Sequence, residues 1–293
     1  MRTPQVAAAE VFRRMIIALG AGGASEEGLA AAAEIAALMG LEIEGLFIED
    51  EAVLGLSALP FLREIEAGSL ASRPFEPARL ESEMRLAAGA RHRALAAAAR
   101  RSRTTFRFQA VRGEIEAIVS RTVGATDIMV VIEPRGAAER TSHAAVTMRR
   151  AAMRSHASVL YVPAPVRRRR GAVAAFVGRD GDQTELLRLA ARIAAASDND
   201  LVVLSTDLAD AGRQRIAKLA GAAGLAAGRV RLLPLADDSP GALARALESI
   251  EQRLVVLSRG ALGLDDERAL TALAARLRVP ILTVERPEKS AEG

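Results

Sequence analysis

Residues 15–48 read MIIALGAGGASEEGLAAAAEIAALMGLEIEGLFI, and residues 172–204 read AVAAFVGRDGDQTELLRLAARIAAASDNDLVVL. Both stretches run through the same sequence of features. A short apolar run (Met15–Leu19; Ala172–Val177) enters a Gly-bearing turn (Gly20-Ala21-Gly22-Gly23; Gly178-Arg179-Asp180-Gly181). An Ala- and Leu-rich helical stretch follows (Glu26–Met39; Glu185–Ala196), and then a second apolar run (Leu46–Ile48; Leu201–Leu204). Short β-branched runs bounded by Gly, Pro or charge signal buried strands. The helix starts carry capping chemistry. The Ser25 hydroxyl can accept an orphan N–H while Glu26 and Glu27 suit the helix dipole, and Gly40 stops the helix. Asp182 and Glu185 have capping-box spacing, and Ser239-Pro240 reads as a cap followed by Pro at the first helical position.

The repetition extends to the chain endings. Asp127–Ile132 and Ser158–Pro163 close the first unit, and Arg253–Ser258 and Pro280–Val284 close the second. Internal repeats decide architecture, and strands alternating with helices form βαβ units on parallel sheets with right-handed crossovers. The expected fold is therefore α/β, with two tandem five-stranded, Rossmann-like units. The first covers residues 1–166 and the second 172–293, with an Arg-rich linker at 167–171. The second unit is 35 residues shorter, chiefly for want of an insert at 50–77. Leu54, Leu56, Leu59, Phe61 and Leu62 make that insert apolar enough to cover part of the first unit's ligand-side edge. The linker's Arg167–Arg170 run beside Pro163 and Pro165 reads as a solvated connector. One long helix is expected over 137–155.

Composition narrows the function classes. Half of the 293 residues are hydrophobic, enough for two cores. There is no cysteine, so disulfides, thiolate catalysis and Cys-ligated zinc are excluded. No apolar run approaches a membrane span, and the first residues lack a signal-peptide pattern, so a cytoplasmic location without membrane contact is expected. The net charge is only +4, and lysine occurs only at Lys218 and Lys289. With no Trp and few aromatics, nucleic acid is an unexpected partner.

Order and spacing resemble the universal stress protein family. The stretch at 15–50 is similar to its opening strand, loop, helix and second strand; VRGEIEAIVSRTVGATDIMVVIEPRG at 111–136 to its third strand, helix and fourth strand; SHASVLYVP and LRVPILTVE to its ending. The resemblance implies sheet order 3-2-1-4-5, and two units paired as an internal pseudo-dimer through their fifth strands. Tyr161 and Thr283 would then occupy matching places. Two separate sheets facing each other are expected rather than one continuous sheet. The resemblance also implies a non-enzymatic stress-response role and possible homo-oligomers.

Members that bind ATP carry an Asp after the first strand, a G-x-x-G loop after the fourth and a later G-[ST]. Glycine lets backbone N–H groups reach phosphate, and a helix N-terminus favours negative charge. This chain departs from that pattern. The Asp position falls at Gly20 and Gly178, with Asp180 the nearest substitute. Glu133-Pro134-Arg135-Gly136 lacks the second glycine, and the G-[ST] positions fall near Ala145-Val146 and Glu267-Arg268. Only Gly260-Ala261-Leu262-Gly263 keeps G-x-x-G. The expectation is a protein without a cofactor that acts through protein contacts. The alternative is a regulator holding ATP or AMP in the second unit through Gly178, Asp180, Ser258, Arg259, Gly260 and Gly263. His92, His143 and His156 have no metal-ligand spacing, and no nucleophile elbow is present, so no catalytic or metal residue is expected.

Overall fold

A computed structural model describes residues 12–57, 63–65, 72–74, 77–166, 170–178, 183–206, 209–264 and 266–285. The first half runs β1 (Arg14–Leu19), α1 (Glu26–Met39), β2 (Glu42–Asp50), α2 (Glu51–Ser57), a short hairpin β3 (Arg63–Ile65) and β4 (Ser72–Pro74), α3 (Pro77–Ser102), β5 (Phe106–Gly113), α4 (Ile115–Thr122), β6 (Asp127–Ile132), α5 (Ala137–Arg140), α6 (His143–Arg154) and β7 (Ser158–Val162). The second runs β8 (Ala172–Val177), α7 (Thr184–Ala196), β9 (Leu201–Ser205), α8 (Asp210–Ala222), β10 (Val230–Pro234), α9 (Pro240–Glu248), β11 (Gln252–Ser258), α10 (Glu267–Leu277) and β12 (Ile281–Val284). The Asp182 cap, Leu59, Phe61, Leu62 and Arg167–Arg169 lie outside the described residues. No helix among the described residues is long and apolar enough to cross a membrane.

The strands lie in the order β10-β9-β8-β11-β12-β7-β6-β1-β2-β5. Every neighbouring pair within a half is parallel. With the hairpin set aside, each half has the expected order 3-2-1-4-5. The expectation of two separate sheets is corrected, because β7 and β12 pair antiparallel and make one ten-stranded sheet. An unpaired last strand would leave a row of N–H and C=O groups open, and its equivalent in the other half satisfies them. The register is that of a two-fold. Leu160 pairs with its counterpart Leu282, while Tyr161 pairs with Ile281 and Val159 with Thr283. Each side of the join thus repeats the other, as an isologous contact requires.

Side chains alternate across the sheet, as strand geometry demands. Met15, Ile17 and Leu19 face one apolar layer, with α1, α3, α7 and α8 supplying Leu29, Leu95, Leu186 and Ile216. Ile16 and Ala18 face the other, with α4, α6, α9 and α10 supplying Ile118, Met148, Leu243 and Leu270. All described residues of β6, β7, β11 and β12 are buried, which fits a sheet covered on both faces.

Most helix limits follow the capping signals. Ser25 Oγ accepts from Gly28 N at 3.0 Å, Gly40 ends α1 with φ 68°, and Ser239 Oγ accepts from Ala242 N at 3.1 Å. The glycine at 28 is required by packing, since a Cβ there would stand 2.4 Å from Ile132 Cγ2. The single helix expected over 137–155 is broken in two. The first piece ends at Arg140 with Thr141 as its C-cap, and Ser142 caps the second, its Oγ accepting from Ala145 N at 3.3 Å.

Side chains also lock the halves together on both faces of the sheet. Arg253 on β11 pairs with Glu34 on α1 at 2.7 Å. On the opposite face Arg149 on α6 pairs with Glu267 on α10 at 2.5 Å. Thr283 Oγ1 donates to Val159 O at 3.2 Å, beside the strand join.

Candidate functional site

In an open parallel sheet the crevice at the carboxyl ends of the strands, where strand order reverses, is the natural ligand position. In the first half that point lies between β1 and β6. A cleft there encloses about 940 Å³ of empty space, its open mouth included. Its floor is the end of β1 and the Gly20–Gly22 turn, with Asp50 closing β2 and Glu133 following β6. Val53 of α2, Leu80 and Met84 of α3, and Ala144 and Met148 of α6 form apolar walls.

The polar groups of the cleft are mostly acidic. Asp50 is 5 % exposed. Its Oδ1 accepts from Ala52 N at 3.0 Å and so caps α2. Its Oδ2 is shielded from water and has no hydrogen-bond partner among the described residues. Glu133 is held by Ala164 N at 3.3 Å and lies 3.8 Å from the Arg140 guanidinium. Glu139 stands on α5 and lines the cleft; its carboxylate and the Arg91 guanidinium both approach Gly23. The lining guanidinium, Arg149, is directed to Glu267 of the other half and to Arg140 O at 3.1 Å. The N-terminus of α6 also reaches the cleft, where Ser142 already occupies the Ala145 N–H.

Of the residues singled out in the sequence, Gly178 and Ser258 come to the same end of adjacent strands β8 and β11. Asp180 lies outside the described residues. With the Gln183 amide assigned by its hydrogen-bond network, its oxygen accepts from Gly178 N at 3.0 Å and its nitrogen donates to Phe176 O at 3.2 Å. Ser258 is 6 % exposed. Gly260 and Gly263 have φ of 77° and 65°, the left-handed region that favours glycine. Arg259 turns away from the loop to the end of α6. There its guanidinium donates to Met153 O at 3.0 Å, Ser155 O at 2.6 Å and Ala157 O at 2.5 Å, and pairs with Glu285. It thus satisfies carbonyls that a helix C-terminus leaves open. Glu267, near the second unit's G-[ST] position, faces Arg149.

The first-half cleft was not found from the sequence. Asp50 stood there only as the start of an insert, and Glu133 as a departure from a glycine loop. The available signal was an acidic residue at the end of both the second and the fourth strand. Among the described residues no group of three or more His, Asp or Glu is placed to hold a metal ion.

The architecture is shared with known structures. A universal stress protein from Archaeoglobus fulgidus DSM 4304 superposes with a TM-score of 0.59 at 16 % identity, covering 93 % of this chain and 98 % of that one. A protein from Pseudomonas aeruginosa UCBPP-PA14 that carries the universal stress protein name gives 0.53 at 12 % identity, over 94 % of each chain. The cytoplasmic domain of a prokaryotic cation chloride cotransporter gives 0.52 at 10 % identity, over 93 % of this chain and 95 % of that one. No family model and no curated protein matches the sequence. The shared property is the fold: this chain has the tandem universal-stress-protein architecture.

Proposed function

We propose that this protein is a non-enzymatic stress-response protein of the universal stress type, which does not use ATP and acts through contacts with other proteins. Its two domains are residues 1–166 and 172–293, joined by the linker at 167–171. The observation that carries the reading is the acidic lining of the first-half cleft. Asp50, Glu133 and Glu139 line the cleft, so a triphosphate bound there would meet their charge. Like charges in a partly desolvated crevice oppose each other by kcal/mol rather than tenths. The cleft's own guanidinium is engaged with Glu267, and Ser142 holds one N–H of the helix end nearest the cleft. No pair of glycines follows β6 to let backbone approach a phosphate. In the second half, a site built on Gly260 and Gly263 would work without Arg259, whose guanidinium caps α6. The fold alone hosts different roles, so the weight rests on this chemistry. Mass spectrometry of the full chain purified under native conditions tests it. The expected spectrum is free of bound adenine nucleotide, and a stoichiometric ATP or AMP adduct would overturn the reading.

A further inference from the structure

We infer that the first-half cleft is a binding site for an uncharged, apolar small molecule the size of an aromatic ring system. The inference rests on the reading of this cleft as one that refuses a triphosphate, and it names what the cleft takes instead.

Two observations carry it. The first is the state of the polar side chains on the lining, which are Asp50, Glu133, Glu139, Ser142 and Arg149. Arg149 is engaged by Glu267 and donates to Arg140 O. Ser142 Oγ donates to Glu139 O at 2.8 Å and accepts from Ala145 N at 3.3 Å. Glu133 accepts from Ala164 N at 3.3 Å. Asp50 caps α2 through Oδ1, and its Oδ2 has no surface open to water, so it adds a negative field but no group that a ligand can reach. Glu139, on exposed α5, adds a further negative charge. An anion entering the cleft would lose hydration and meet carboxylates. A neutral polar group would lose hydration and meet side chains already paired. Apolar surface carries neither cost, and its removal from water is favourable.

The second observation is the shape of the cleft. It lies at the switch point of the first half's sheet, with apolar walls from three helices: Val53 of α2, Leu80 and Met84 of α3, and Met148 of α6. Methionines adapt to varied apolar shapes. On the floor, a Cβ at Gly20 or Gly22 would meet nothing within 4 Å, so there is open space against the backbone. The cavity volume is about 170 Å³, and an apolar cavity of about 150 Å³ is enough to take benzene. Concave, mostly apolar walls of this kind are the usual composition of a small-molecule site.

The test uses the full chain and three probes built on one ring system: neutral indole, anionic indole-3-acetate and cationic tryptamine. By calorimetry indole binds with a negative heat-capacity change, the mark of apolar burial. Indole-3-acetate binds at least about tenfold more weakly, and tryptamine no more tightly than indole. Val53→Phe fills the cleft from α2 and Ala144→Phe from α6. Each, checked for fold by circular dichroism, weakens indole roughly tenfold or more. No indole binding at about 1 mM, the weak end of specific affinities, overturns the proposal. So does equal binding of indole-3-acetate, tighter binding of tryptamine, or indole binding undiminished in both variants, which would place it elsewhere. If one variant does not fold, the other wall and the probe selectivity still decide. A separate titration with ATP keeps the outcomes apart: ATP binding counts against the refusal of nucleotide, whereas failed indole binding leaves that refusal standing.

Discussion

Tyr161 on β7 is 2 % exposed and is the chain's single tyrosine. Its hydroxyl lies near Glu133 but makes no hydrogen bond of ordinary geometry. Burial raises its pKa well above the ordinary value of 10.0, and the negative field of Glu133 adds to this. A group with a raised folded pKa contributes stability that is whole below the unfolded pKa and is lost as pH rises through the folded one. The protein should therefore lose stability above about pH 10. Tyr161→Phe should flatten that loss and, by removing an unsatisfied hydroxyl, raise stability at neutral pH by about 1 kcal/mol. Urea unfolding at two pH values measures both. A destabilised Phe variant would mean that the hydroxyl is satisfied. Gly171 makes a second residue-scale case. Its φ is 124°, and a Cβ would stand 2.3 Å from Glu251 O. Gly171→Ala should cost about 3 kcal/mol in the same assay. Ser25, Gly40 and Ser239 were legible in the sequence because a cap acts within four residues. Arg259 was not, because its carbonyl partners lie some hundred positions away in the chain.

Strands and helices were legible wherever their signals are local. The buried runs of β1, β6, β7, β8 and β11 are continuous and apolar, and the structure places strands on all of them. The break between α5 and α6 was missed because Thr141-Ser142 is compatible with a helix, and only the Ser142 cap decides against it. The pairing of α6 with α10 was equally hidden, since Arg149 and Glu267 come from different halves. Their side chains are 13 % and 22 % exposed, so the pair is worth more than a surface salt bridge. Arg149→Ala or Glu267→Ala alone should cost about 1–3 kcal/mol. The double variant should cost less than their sum, because partners in contact couple. Strict additivity in a double-mutant cycle would mean that the two helices are not joined through this pair.

At the scale of the molecule, two five-stranded halves share ten strands through β7 and β12. The order 3-2-1-4-5 could be read twice from the sequence because each unit is locally consistent. The joining of the sheets could not, because strand-edge pairing leaves no periodic trace. With Arg253–Glu34 on one face and Arg149–Glu267 on the other, the halves should stay together without a covalent link. Trypsin cleavage at the Arg167–Arg170 run should leave both halves co-eluting in gel filtration, whereas separation on nicking would show that the linker holds them. The functional claim depends on the acidic cleft and on the engaged Arg259, and it was partly legible in the sequence as missing glycines. The acidic lining itself needed the ends of β2 and β6 and the helix α5 brought together. The most direct measurement is calorimetric titration of the intact protein with magnesium ATP. The account predicts no binding stronger than about millimolar, worth only about 4 kcal/mol. A micromolar dissociation constant, abolished by Gly260→Val or Gly263→Val, would contradict it.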